Sequence, residues 1–370
     1  MKLFLAVVLF IICIIYRRSK FALALAMIGL WFFMTFCGET LDSQNYINEF
    51  SNISLSNAAK EPLYVLFVYF FNSLGISYEL YHAISSAIVI LIIGCTTYKF
   101  AINYNLVLGL FLVYPFALYA VQIRNFYAFS ICMIALTFLN KNTESSNGRS
   151  WYKKNKNELL YVVFVVFASL IHSAYIIFLL FLLAEKFDMK KVIITTVTAL
   201  IVEAAVLNPT IILRIAEVFN VRARLEYQIY FNSLNGQSDI PLRIIITFIM
   251  YFSCFWYLQY RMKACYNAAD LLDIQVYRQN DLALKINTLC LVILPVVPLI
   301  REVFRIQEAL MLFNYITITN NMDQQSTWKK DTVRNALIIV FLLFFIFVDN
   351  FLYILRFDGM REFVLKAVFG

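Results

Sequence analysis

Apolar runs with short connections recur along this whole chain and leave little room for any soluble fold. Leu3–Tyr16 is followed by Phe21–Cys37 with only Arg17-Arg18-Ser19-Lys20 between them. Tyr81–Tyr98, Leu106–Tyr119, Phe126–Leu139, Leu159–Ala184, 192–207, Leu242–Leu258, Leu284–Ile300, Glu308–Thr319 and Leu337–Leu355 repeat the pattern. A bilayer core asks for about 20 apolar residues per helix. The 370 residues are 62% hydrophobic and 15% charged, whereas a soluble domain is about half apolar and a quarter charged. The expectation is an all-α, polytopic integral membrane protein with roughly 11–12 transmembrane or re-entrant helices, forming one integral domain over 1–370. Met1–Tyr16 resembles the core of a signal peptide, but it lacks a small-residue cleavage site and another apolar run follows, so a retained helix is expected.

Charge then orients the spans. The net charge of +8 reads as topology and not as nucleic-acid binding, because lysine and arginine mark cytoplasmic loops. Arg17-Arg18-Ser19-Lys20 is expected inside, which puts 38–61, with Glu39, Asp42, Glu49 and Glu61, outside. Pro62–Leu74 is short for a crossing and is expected as a re-entrant or interfacial helix, making 38–80 an outer loop with such a helix. The loop 140–158, with Lys141, Arg149, Lys153, Lys154 and Lys156, carries the strongest cytoplasmic signature. Leu159–Ala184 reads either as one long helix or as two arms meeting at His172-Ser173. The two-arm reading sends ten basic residues inside against six for the alternative, and it makes 208–241 an outer loop.

With that topology the outer cations are arginines: Arg124, Arg222, Arg224, Arg301 and Arg305. A guanidinium forks onto phosphate oxygens where an ammonium acts as a point charge. Arg124 sits within a proline-broken apolar stretch, Tyr114–Ala128, and an arginine there is expected to face an interface or a wet cavity. Arg301 and Arg305 are four residues apart and share a face if helical; pairing with Glu302 and Glu308 is the plainer role for them. Asp42, Tyr46 and Phe50 share one face if the segment is helical, a spacing that a solvated loop cap also shows. Tyr227 follows Arg222 and Arg224 in a basic–aromatic strip suited to sugar and phosphate, a pattern that an interfacial helix also shows. His172 is a candidate proton acceptor or a satisfied buried histidine. With two histidines, and seven cysteines without a CxxC pair, neither a metal centre nor a disulfide framework is expected, and no cofactor.

These elements, in this order, resemble the EpsG-like, Wzy-type polysaccharide polymerases. The resemblance rests on Gly38, Asp42, Tyr46 and Phe50, then Glu61-Pro62, Ile123-Arg124, His172-Ser173 and Arg305-Ile306. The family often shows Gly-Thr-Asp-Tyr and Arg-Gln where this chain has Gly38-Glu39-Thr40-Leu41-Asp42 and Arg124-Asn125. It implies a GT-C-like helical glycosyltransferase that joins undecaprenyl-pyrophosphate-linked oligosaccharide repeat units into O-antigen, capsule or exopolysaccharide. The active site would face outward from a bacterial inner membrane. Asp42 and His172 would be catalytic; Arg124, Arg301, Arg305, Tyr46, Arg222, Arg224 and Tyr227 would bind substrate, without a metal. The expected partners are the lipid-linked substrate, the bilayer, a chain-length regulator and a flippase, with no nucleic acid. A lipid-linked oligosaccharide flippase, or another GT-C enzyme using a polyprenyl-phosphate sugar, is the alternative.

Overall fold

Helices begin and end in this protein where small polar residues, glycine and proline punctuate the apolar runs. A computed structural model describes residues 1–38, 41–54, 61–142, 150–206, 255–256, 271–293, 305–320 and 367–370. Among the described residues every regular element is helical. Helix α1 (Lys2–Ile15) and α2 (Lys20–Thr35) are separated by the basic turn, and the Ser19 side chain accepts a hydrogen bond from the Ala22 amide to cap α2. Helix α3 (Leu41–Ser51) leads to α4 (Pro62–Ser73), whose first position is Pro62, where a missing amide costs nothing. Gly75 takes a positive φ of 68° to close α4. Ser77 then caps α5 (Tyr78–Phe100).

The run expected as one span over Leu106–Tyr119 is broken. Helix α6 (Tyr104–Val113) stops at Tyr114-Pro115, and the short α7 (Phe116–Val121) yields to α8 (Ile123–Asn142) at Gln122. Helix α9 (Ser150–Ile171) ends at His172, so Leu159–Ala184 is divided there. A 3-10 segment, Ser173–Phe181, follows, with α10 (Leu182–Lys186) and α11 (Met189–Val206) after it. Two further helices are α12 (Leu271–Cys290) and α13 (Arg305–Asn320).

The chain forms two compact units, one of Met1–Ile176 with Met311–Gly370 and one of Ile177–Leu310. In the first, α1 packs on α6 so closely that a Cβ on Gly109 would meet Cys13 Cβ at 2.9 Å. Helix α2 lies on α5, α5 on α8, and α8 runs along α9, where Phe138 and Phe164 stack. Asparagines tie the chain together: Asn320 donates to the Phe100 carbonyl and accepts from the Ile102 amide, and Asn103 donates to the Thr319 carbonyl. In the second unit α11 packs on α12, with a Thr196 hydroxyl on the Thr288 carbonyl, and Lys285 pairs with Asp281 one turn away at 2.7 Å.

Of the described helices, Tyr78–Phe100 is long and apolar enough to cross a membrane; α1, α2, α4 and α6 are shorter apolar helices. Apolar side chains stand exposed along several of them: Phe4, Val7 and Ile11 on α1, Leu66 and Phe70 on α4, Val163 and Phe167 on α9. The outer loop expected over 208–241 lies outside the described residues; of the loop expected over 140–158, residues 143–149 lie outside them and 150–158 are instead the first turns of α9.

Candidate functional site

An aromatic stack fixes the start of α8. Tyr119 of α7 stacks on Phe129 at 4.5 Å and on Phe126 at 5.2 Å, and Phe111 of α6 stacks on Phe129 at 6.0 Å. All four rings are fully buried. With Ile123 and Asn125 also buried, Arg124 is the residue of this turn that keeps substantial exposure, 37% of its side chain. Asn125 faces inward and accepts from the Tyr175 hydroxyl at 2.7 Å, locking the entry of α8 to the first turn of the 3-10 segment. That bond sets His172, at the end of α9, beside the start of α8.

The element that joins Arg124 to His172 is Glu61. As the residue before Pro62 it is held out of the helical region, at φ −137° and ψ 67°, and its carbonyl accepts from the Val65 amide. Its side chain makes no cap bond to α4 and reaches across instead. Glu61 Oε2 accepts from Arg124 Nη1 at 2.9 Å, and Glu61 Oε1 pairs with His172 Nδ1 at 2.9 Å. Both Glu61 and His172 keep only 13% of their side chains exposed.

Helix α3 supplies the other wall. Its buried Phe50 stacks on Tyr81 of α5 at 5.0 Å, and the Asn72 side chain of α4 donates to the Phe50 carbonyl. This docking lays Tyr46, also buried, against the Arg124 guanidinium, whose carbon lies 5.5 Å from the Tyr46 ring and 5.3 Å from that of Tyr64. Glu49, one turn beyond Tyr46, comes to 3.9 Å of Arg124 Nη1 and accepts from the Tyr64 hydroxyl at 3.5 Å.

The two carboxylates are driven apart electrically. Burial works against ionisation of Glu61, but the His172 hydrogen bond and the Arg124 charge outweigh it, and its pKa falls below the ordinary carboxylate value. For Glu49 burial wins over the attraction of Arg124, the charge of Glu61 adds to it, and the pKa rises. Burial also opposes the Arg124 charge; the Tyr46 oxygen and the two carboxylates overcome that and hold the guanidinium protonated. The result is a firmly charged arginine, a firmly ionised Glu61 and a more basic Glu49. Such an arginine can receive a phosphate oxygen on the donors that Glu61 leaves unused.

Of the residues singled out from sequence, Arg124, Tyr46 and His172 therefore come together. Asp42 does not enter the cluster: it sits exposed in the first turn of α3, below Tyr46 on the same face. Arg305 opens α13. Arg222, Arg224, Tyr227 and Arg301 lie outside the described residues. Glu49, Glu61 and Tyr64 are the members that residue spacing had not assigned a role. A signal for two of them existed: Glu49 follows Tyr46 by three residues, and Glu61 precedes a helix-starting proline, where a side chain not spent on capping is free for other contacts. Among the described residues no three His, Cys, Asp or Glu side chains gather as a metal site would require.

A protein helical throughout its described residues, with an arginine held between two glutamates and a glutamate–histidine pair, is the class that this fold and geometry define. The chain belongs to the EpsG family, whose model matches residues 20–358. That membership connects it to polysaccharide biosynthesis and to membranes. No curated protein matches the chain, and no solved structure does.

Proposed function

We propose that this protein is a polytopic glycosyltransferase of the bacterial inner membrane. It polymerises undecaprenyl-pyrophosphate-linked oligosaccharide repeat units at the outer face. The observation that carries the reading is the state of Arg124: one Nη1 donor is engaged by Glu61, the guanidinium lies beside two tyrosine rings, and 37% of the side chain is exposed. A pyrophosphate is already a good leaving group, and a preorganised guanidinium aimed at its oxygens stabilises the charge that develops as it departs.

In this reading the hydroxyl of the incoming unit attacks the anomeric carbon of the growing glycan. The bond to undecaprenyl pyrophosphate breaks, its electron pair leaves on the pyrophosphate oxygen, and Arg124 neutralises that charge. His172 takes the hydroxyl proton. Direct displacement inverts the anomeric centre. Tyr46 supports the guanidinium from below, and Arg222, Arg224, Tyr227, Arg301 and Arg305 serve the longer glycan and its carrier. Asp42, exposed at the first turn of α3, acts on the acceptor sugar and not on Arg124. A chain-length regulator and a flippase are the partners this activity needs.

Glycan analysis of a deletion strain tests the proposal. Lipid carrier capped with a single repeat unit on the outer leaflet is the expected result. Units held in the cytoplasmic leaflet would instead indicate a flippase and overturn it.

A further inference from the structure

We propose that Glu61 is a positioning residue for the transfer: its carboxylate holds His172 in the tautomer protonated on Nδ1, leaving Nε2 to accept the sugar hydroxyl's proton, while its second oxygen holds Arg124 against the leaving group. The proposal rests on the polymerase reading for its substrates and on the described geometry for the rest.

An ionised carboxylate can only accept hydrogen bonds, so the 2.9 Å contact from His172 Nδ1 to Glu61 Oε1 requires the proton to sit on Nδ1. In a neutral imidazole the lone pair then falls on Nε2. Among the described residues Nε2 is buried and meets no hydrogen-bond partner. Buried polar atoms are mostly paired, and Nε2 belongs to the small set in the described residues that is not. That suits an atom whose partner is a reactant. The acceptor oxygen reaches Nε2 when the side chains that cover it give way.

The step balances. The acceptor hydroxyl gives its proton to Nε2 as its oxygen bonds to the anomeric carbon. The bond from that carbon to the pyrophosphate oxygen breaks with its electron pair, beside Arg124. The imidazolium so formed faces the Glu61 carboxylate and returns its proton to water. One carboxylate thereby couples the proton acceptor to the group that receives the leaving charge, and neither His172 nor Arg124 is placed by its own helix alone.

The test uses the full chain in lipid nanodiscs labelled with 15N-histidine. The chain has two histidines, His82 and His172, so a His172→Asn spectrum assigns the signals. At about pH 9, where an ordinary imidazole is neutral, His172 is expected to carry its proton on Nδ1. In Glu61→Gln one amide oxygen cannot serve both donors; Arg124 keeps it and the amide NH2 turns to His172, moving the proton to Nε2. Polymerisation kcat should then fall by ~10²-fold or more, with a smaller change in KM for the lipid-linked donor. Glu61→Asp keeps the charge and should keep the Nδ1 proton with part of the activity. A wild-type His172 protonated on Nε2, or a tautomer unmoved in Glu61→Gln, overturns the inference whatever the activity does. A wild-type protein with the expected tautomer that transfers no repeat units overturns the polymerase reading instead and leaves the Glu61–His172 pairing standing.

Discussion

Glu61 and His172 are 111 residues apart in the chain and 2.9 Å apart in the fold, and the same glutamate binds Arg124 at 2.9 Å. Three helix boundaries meet at this one carboxylate: the start of α4, the start of α8 and the end of α9. Helix ends carry unpaired backbone groups and irregular turns, so they are where a polar side chain can be aimed without breaking a packed apolar face.

The Arg124 fork gives the first prediction. Lysine retains the charge but not the planar donor set that spans Glu61 and a phosphate together. Arg124→Lys is expected to lose about 10²-fold in polymer formed per molecule while reaching the membrane at normal abundance. Normal activity in that variant, measured per unit of inserted protein, would reduce Arg124 to an anchor.

A second prediction concerns the lock between α8 and the 3-10 segment. Tyr175→Phe removes the hydroxyl that donates to Asn125 Oδ1 at 2.7 Å and leaves a buried acceptor unpaired. The cost expected is about 1–3 kcal/mol, read as a lowered melting temperature. Because Asn125 adjoins Arg124, activity of the folded fraction should drop as well. Unchanged stability and turnover would mean that this bond does not set the site.

The opposite shifts of the two glutamates make a pH prediction. Glu61 is more acidic folded than unfolded, so its contribution is present above the ordinary carboxylate pKa and is lost as pH falls through the depressed folded value. Glu49 is less acidic folded, so ionising it costs stability; that cost is absent in acid and appears as pH rises through the ordinary carboxylate range towards the raised folded value. Glu49→Gln should therefore melt higher than the wild type at neutral pH, with the gap closing on acidification. Glu61→Gln should melt lower at neutral pH, and its deficit should shrink in acid. Melting curves of the three proteins across pH decide both signs.

Topology supplies the fourth. Basic residues are expected to hold 140–158 in the cytoplasm and leave 208–241 outside. Single cysteines placed in each loop should label from opposite sides of the membrane. Labelling from the same side would overturn the two-arm orientation.

Residue types and their order were enough to establish the helical class, because apolar runs of this length leave a chain few other ways to satisfy its backbone. They marked Arg124, a charge beside a proline break, and His172, a polar residue interrupting an apolar run, since each stands out against its own neighbours. Helix α3 was also legible as a face, with Tyr46 and Phe50 four residues apart and both buried in the fold. What separates Asp42 from Glu49 on that helix was not legible. Both are acids one turn from Tyr46, and only the docking of Phe50 on Tyr81 decides which of them reaches Arg124. Glu61 was visible as a residue before a proline, but its partners come from α8 and α9. Spacing along a chain records what lies on one helix; which helix ends meet is set by packing between them, here the Tyr119–Phe129 stack and the Asn125–Tyr175 bond.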